Sequence, residues 1–270
     1  MTIAARVGII GGNGWLGNAL ASSAVTKGVI DPARLVLSSR SGTRGAIDIP
    51  GATWTRDNGE LARQSDVILL SVRPEQYPAV VIDASGKLVV SLMAAIPAAI
   101  IAKRTGAERI VRSMPNAAMS IGKSFTPWFA AAAVTPEDKR LVQTLFECCG
   151  DGDEVPEERH IDYCSGLCGS GAAFPGLLAQ AMIEQAVAQG LPLSFARRAA
   201  KSVLIDASQL LAEHEDPAPV VQAMIDYRGT TAAALQTMID CGFKTAVGAG
   251  LDAAAKKAAA MAAGLTGQLR

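Results

Sequence analysis

Short unbroken apolar runs alternate with helix-patterned stretches along the first part of the chain, and then the strands stop. The runs are Val7-Gly8-Ile9-Ile10, Arg34–Leu37, a shorter Ala52–Thr55, Asp66–Ser71, Lys87–Leu92 and Arg109–Met114. Val, Ile and Leu at successive positions imply a strand covered on both faces, as in a parallel sheet flanked by helices. An apolar helix is expected after the first run and a short one over Asn58–Gln64. Ser124–Ala130 reads as an edge strand, and Pro136 opens a helix over Glu137–Cys148. From about Asp162 no strand-like run follows. Helical patterns fill Gly171–Gln189, Ser194–Ala212, Gly229–Cys241 and Thr245–Ala263, broken at Gly190-Leu191-Pro192 and Asp216-Pro217.

The first strand leads into Gly11-Gly12-Asn13-Gly14-Trp15-Leu16-Gly17. Gly12, Gly14 and Gly17 are spaced G-x-G-x-x-G between a strand and a helix. In that fingerprint Gly12 allows the tight turn, Gly14 lets the backbone approach a pyrophosphate, and Gly17 lets helix and strand pack closely. The phosphates would rest on free N–H groups at the helix N-terminus. A site for NAD carries an acid about 20 residues further on. Here the second strand ends in Ser38-Ser39-Arg40-Ser41-Gly42-Thr43-Arg44, with hydroxyls, two guanidinium groups and no acid. That set suits a phosphate monoester, so the expected cofactor is NADP(H). The expected fold is α/β. A Rossmann doubly wound sheet binds NADP over residues 1–161, and an all-helical dimerisation and substrate domain follows over residues 162–270.

Composition narrows the class. Lys plus Arg and Asp plus Glu number 25 each, which gives no footprint for nucleic acid. Half the residues are hydrophobic and only 4% aromatic, so Ala-rich helices should pack closely or bury themselves in a partner subunit. The longest apolar stretch, Leu88 to Ala102, contains Pro97 and is shorter than a membrane span. The chain enters its first strand at once, leaving no room for a signal peptide. The expectation is a soluble cytoplasmic protein with no membrane partner. Cys148, Cys149, Cys164, Cys168 and Cys241 form no C-x-x-C pair, and with His160 and His214 they make no metal-ligand set. Free thiols, surface histidines and no metal are expected.

Five stretches, in order, resemble the pyrroline-5-carboxylate reductase family. Gly12 to Gly17 resembles its G-A-G-N-M-G, preceded by one additional glycine, Gly11. Ser71-Val72-Arg73-Pro74-Glu75 resembles A-V-K-P-Q, and Met114-Pro115-Asn116-Ala117-Ala118 resembles M-P-N-T-P. Asp162 to Phe174 resembles D-A-V-T-A-L-S-G-S-G-P-A-Y, with Ala172 at the place of its proline. Asp226-Tyr227-Arg228-Gly229-Thr230-Thr231 resembles S-P-G-G-T-T, and Cys241-Gly242-Phe243 follows where the family has G-G-F. The resemblance implies a helical domain that interlocks two subunits as a homodimer or a ring of dimers. It also implies NADPH-dependent reduction of a cyclic imine, pyrroline-5-carboxylate to proline, at the dimer interface. The cofactor-binding candidates are Gly12, Asn13, Gly14, Trp15, Leu16, Gly17, Ser39, Arg40, Asn58, Val72, Arg73 and Pro74. The substrate candidates are Asn116, Asp226, Arg228, Gly229 and Thr230, with Thr231 as the catalytic hydroxyl.

The chemistry agrees with these residue types. Hydride delivery to a C=N carbon needs orientation and support for the nitrogen, not a covalent nucleophile. A protonated imine brings its own proton, so a hydroxyl donor such as Thr231 suffices. The resemblance implies that backbone N–H groups matching those of Arg228, Gly229 and Thr230 take the substrate carboxylate, and a threonine N-cap there would start a helix. Asp226 replaces a serine and Arg228 a glycine; Arg228 would pair with Asp226 or bind the substrate directly. The alternatives are a reductase of another imine or imino acid, a deazaflavin-dependent NADP oxidoreductase, and a non-catalytic nucleotide-binding regulatory protein. The deazaflavin family resembles Gly11–Gly14 and Ser38–Ser41 but lacks a long helical half. Hydroxyacid dehydrogenases are disfavoured because Gly171–Gln189 contains no lysine.

Overall fold

The structure, a computed structural model, describes residues 2–42, 44, 46, 48–171 and 173–268. Thr43 of the basic loop and Ala172, at the family proline, lie outside the described residues. The strands are β1 (Val7–Ile10), β2 (Leu35–Ser38), β3 (Thr53–Thr55), β4 (Val67–Leu70), β5 (Leu88–Ser91), β6 (Arg109–Ser113), β7 (Ser124–Ala130) and β8 (Gly150–Glu154). They form one sheet in the order β3-β2-β1-β4-β5-β6-β7-β8. Strands β1 to β6 pair in parallel, β7 runs antiparallel to β6, and β8 is parallel to β7. The strand order reverses between β1 and β4, which opens a crevice beyond their carboxyl ends. Ile10 stands level with Ser38 on one side and Leu70 on the other.

The helices of this part are α1 (Trp15–Thr26), α2 (Asn58–Gln64), α3 (Ala98–Thr105), α4 (Pro136–Glu147) and α5 (Glu158–Cys164). Period-two alternation sends Val7, Ile9, Leu35, Leu37, Val67 and Leu69 into a core with residues of α1 and α4. It sends Ile10, Val36, Ile68, Leu70 and Val89 into a second core with residues of α2 and α3. Each such side chain contributes about 1.5–3 kcal/mol on burial, so the apolar runs dominate the choice of fold. At the end of α4, Cys148 and Cys149 lie fully inside, their sulfurs 3.6 Å apart. All five cysteines are free thiols.

Three elements escape the sequence pattern. Strand β8 is Gly-Asp-Gly-Asp-Glu, held by its backbone pairing to β7 and burying only Gly152. Helix α3 begins within the stretch read as one apolar run, at Ala98, and continues past its end through Lys103 and Arg104 to Thr105. Helix α8 (Pro217–Asp226) begins where a break was expected, because Asp216 is its N-cap, accepting from the Ala218 N–H at 2.9 Å. The expected Ser194–Ala212 helix divides into α7 (Leu193–Lys201), a π-helical turn and a 3-10 segment that ends at Glu213.

The remaining helices are α6 (Ala173–Ala188), α9 (Thr230–Asp240) and α10 (Phe243–Gln268). The chain forms two compact units, Met1–Ser170 with Asp252–Arg270, and Gly171–Leu251. Within the second, α6, α8 and α9 bury no residue, and Leu177, Ile205 and Leu210 are each at least 60% exposed. By length and composition alone, the helical run Glu158–Ala188 could cross a membrane; Glu158 and Asp162 at its start are ion-paired to Arg112 of β6.

Candidate cofactor crevice and substrate turn

The glycine-rich turn closes over the ends of β1 and β4. Gly11 and Gly12 both donate to the Ser38 carbonyl, at 3.1 and 2.9 Å, and Gly14 donates to the Gly11 carbonyl at 2.9 Å. The positive φ, 84°, falls on Gly11. The tight turn is therefore made by Gly11 and not, as the fingerprint suggested, by Gly12. A side chain on Gly11 would strike the Ser71 carbonyl, and one on Gly17 would strike the Gly11 carbonyl. Gly17 thus serves the close packing expected of it. Helix α1 starts on Gly14 with no side-chain cap. Its first N–H groups lack intrahelical partners and suit an anion. Trp15 stands 66% exposed at this end, whereas the Leu16 side chain packs into the core.

A crevice of ≈ 390 Å³ lies beside this turn, lined by Ile10, Gly11, Asn13, Ser38, Ser39, Arg40, Ser41, Arg56, Asn58, Val72, Gln76, Ala79 and Val80. Ser38 donates to Asn58 Oδ1 at 2.7 Å, which orients the amide at the start of α2. Arg40 belongs to the crevice as expected. Arg44 does not: it pairs with Asp48 at 3.2 Å. The second guanidinium of the crevice is that of Arg56, which follows β3. Of the expected Val72-Arg73-Pro74, only Val72 lines the crevice. Arg73 and Pro74 begin a 3-10 turn, Pro74–Ala79, that brings Gln76, Ala79 and Val80 to its wall. Tyr77 anchors that turn from inside, with Arg104 5.3 Å from its ring centre. Burial pushes its phenol up to about 12, against the opposing pull of Arg104.

Asn116 is fixed at every polar atom of its amide. Its Oδ1 accepts from the Ala118 N–H at 2.9 Å and its Nδ2 donates to the Cys168 carbonyl at 3.0 Å. Helix α5 leads to that carbonyl, and a buried ion triad holds it. Arg112, on β6, is 2% exposed and reaches Glu158 at 2.9 Å and Asp162 at 2.8 Å. Glu158 also accepts from the Ala98 N–H at the start of α3, at 2.8 Å. Burying such charges brings little net stability, but removing one partner leaves the other costly.

The second unit carries the candidate substrate turn, Asp226 to Thr231, which runs from the last residue of α8 into the first turn of α9. Gly229, not a threonine, is the N-cap of α9, and it offers no side-chain cap. Thr230 and Thr231 are the first helical residues, both exposed, with first-turn N–H groups open to an anion. Arg228 has φ 57° where the family motif has glycine. Asp226 accepts from Gln222 at 2.9 Å, and among the described residues it forms no ion pair with Arg228. Of the two roles open to Arg228, pairing with Asp226 or binding the substrate, the pairing is not formed among the described residues. His160 is half-buried and His214 exposed.

A doubly wound sheet with a glycine-rich first crossover and a basic crevice, followed by apolar helices, defines a nicotinamide-nucleotide oxidoreductase with a helical second part. Residues 158–261 match the pyrroline-5-carboxylate reductase dimerisation family. Residues 6–95 match the coenzyme F420-dependent NADP oxidoreductase family, the deazaflavin resemblance seen in the sequence, and that match ends within the first part. Pyrroline-5-carboxylate reductase of Pisum sativum is 30% identical over 253 residues, 91% of this chain and 92% of its own. The structure of a pyrroline-5-carboxylate reductase from Coxiella burnetii aligns with TM-score 0.83 at 26% identity, covering 96% of this chain and 99% of that one. A Plasmodium falciparum pyrroline carboxylate reductase with NADP bound shares the fold, with TM-score 0.81 at 24% identity over 97% of this chain and all (100%) of that one. The chain belongs to the pyrroline-5-carboxylate reductase family.

Proposed function

We propose that this protein reduces the C=N bond of pyrroline-5-carboxylate to give proline, using NADPH. The observation that carries this reading is the relation to the Pisum sativum enzyme, 30% identical over 91% of this chain and 92% of its own. The crevice fits the cofactor on its own chemistry. Gly14 leaves the backbone bare at the N-terminus of α1 for a pyrophosphate. Ser39, Arg40 and Asn58 supply hydroxyl, guanidinium and amide donors for a phosphorylated ribose. Asn13, Trp15, Leu16 and Val72 complete the cofactor side, Leu16 through its backbone.

NADPH, when bound, supplies the hydride. The chain's own residues hold the imine and manage its charge. The carboxylate rests on the open N–H groups of Gly229 and Thr230, with Arg228 as counter-charge. Thr231 donates its hydroxyl to the ring nitrogen, which takes up the C=N electron pair as hydride reaches carbon. The nitrogen keeps the proton with which the iminium arrived, so no acid is consumed. Asn116, the further substrate candidate, is held rigid within the first unit by Ala118 and Cys168. The apolar helices of residues 162–270 pair with those of a second copy, as a homodimer or a ring of dimers. The free thiols suit a reducing compartment such as the cytoplasm.

The test is NADPH oxidation against five- and six-membered cyclic imines with and without a carboxylate. The expected result is fastest turnover on pyrroline-5-carboxylate. Turnover on none of them would overturn the reading. The altered turn, Asp226 with Arg228 in a left-handed conformation, favours one second reading, a different imino acid; a six-membered substrate ahead of the five-membered one would establish it.

A further inference from the structure

We propose that Arg56, and not Arg44, is the second cation that selects NADPH, closing with Arg40 on the phosphate monoester of the cofactor. The inference rests on the NADPH reading above and names a residue that lies outside the resemblance to the family. Its warrant is the placement of β3. Parallel pairing sets Val36 against Thr53 and Ser38 against Thr55, so β2 and β3 end level. Ser39 donates to the Thr55 carbonyl at 3.3 Å, which holds the next residues of both strands together. Arg56 therefore emerges beside the Ser39-Arg40-Ser41 turn, although 16 positions separate it from Arg40.

The turn is shaped to receive it. Gly42 has φ 72°, and its α-carbon is covered by the Arg56 guanidinium, so that any side chain there would collide with it. The nearby acids are engaged elsewhere. Asp48 faces Arg44. Asp57 caps α2 through the Gly59 N–H at 2.7 Å and lies 3.8 Å from Arg63. Among the described residues neither Arg40 nor Arg56 has an ion-pair partner. Two uncompensated guanidinium groups and the Ser39 and Ser41 hydroxyls thus share one crevice wall. A dianionic phosphate monoester satisfies both, whereas a ribose hydroxyl satisfies neither.

The experiment measures calorimetric affinity for NADPH, NADH and adenosine 2′,5′-bisphosphate in the intact protein and its variants. Arg56→Ala should weaken NADPH and the bisphosphate by about 10–100-fold, the range of a charge-assisted contact, with NADH changed less than about twofold. Arg56→Lys should recover part of the loss. Gly42→Ala, which displaces the guanidinium, should shift affinity in the same selective direction, and Arg44→Ala should leave all three ligands unaffected. If the unaltered protein prefers NADPH and Arg56→Ala keeps that preference, the Arg56 proposal alone fails. Equal NADPH and NADH affinity in the unaltered protein would overturn the NADPH reading itself.

Discussion

At Arg228 the backbone takes φ 57°, a conformation that costs a residue with a side chain about 1–3 kcal/mol and suits glycine. Strain kept at an exposed turn points to a use for the guanidinium. Arg228→Gly should therefore leave the melting temperature unchanged or slightly higher, while KM rises for carboxylate-bearing imines. Arg228→Gly with Asp226→Ser should lower KM for pyrroline-5-carboxylate below that of the single variant. Thr231→Ala should lower kcat about tenfold or more, with NADPH affinity intact. Steady-state kinetics beside a thermal melt check all three; silent kinetics would remove the turn from the substrate site. Resemblance to the family motif marked this turn, and G-x-G-x-x-G spacing marked the glycine-rich one, because each is local. The spacing assigned the tight turn to Gly12, and the basic loop offered Arg44 as the second cation; the residues that take those places, Gly11 and Arg56, are set by contacts between segments. The Ser71 carbonyl fixes Gly11, and the neighbour of Arg44 along the chain is Asp48, while β-pairing brings in the distant Arg56.

Elements were legible where burial wrote them. The five apolar strands β1, β2, β4, β5 and β6 show as runs because helices cover both faces. Strand β8 did not show, since an edge strand that buries only a glycine needs nothing from its side chains. Helix α8 was hidden by Asp216-Pro217, a pair that either ends or opens a helix and here does the latter. Helix α4 was legible from the same kind of signal, and its cap is testable. Thr135 and Asp138 form a reciprocal capping box, and Arg109 reaches the Asp138 carboxylate at 2.7 Å. Burial works against the Asp138 charge, but the Thr135 hydrogen bonds and the Arg109 guanidinium prevail, holding the carboxyl below the usual range. A carboxyl lowered on folding stabilises the protein fully above its unfolded value, about 3.9, and loses that contribution as pH falls through the folded one. Asp138→Asn should thus lose about 1–2 kcal/mol at pH 7, and denaturant titrations should show the gap closing below about pH 4.

On the scale of the whole molecule, the two compact units differ in how they hide apolar surface. The first buries two cores against its sheet. The second leaves Leu177, Ile205 and Leu210 at least 60% exposed, which a lone soluble chain rarely tolerates in one region. If a second copy covers them, the melting temperature should rise with protein concentration, and light scattering should give twice the chain mass or a multiple of that. A concentration-independent melt of a monomer would contradict this. Composition foretold the need for cover but not its geometry, since Ala-rich helices have many equivalent faces. The adjacent thiols of Cys148 and Cys149 report on the first unit in another way. They are sealed in the core that α1 and α4 share with the sheet, and α1 carries the glycine-rich turn at its other end. A reagent that reaches them does so only when that core opens. The pair is thus an internal clock for the opening of the cofactor domain, one that ligand at the far end of α1 would slow.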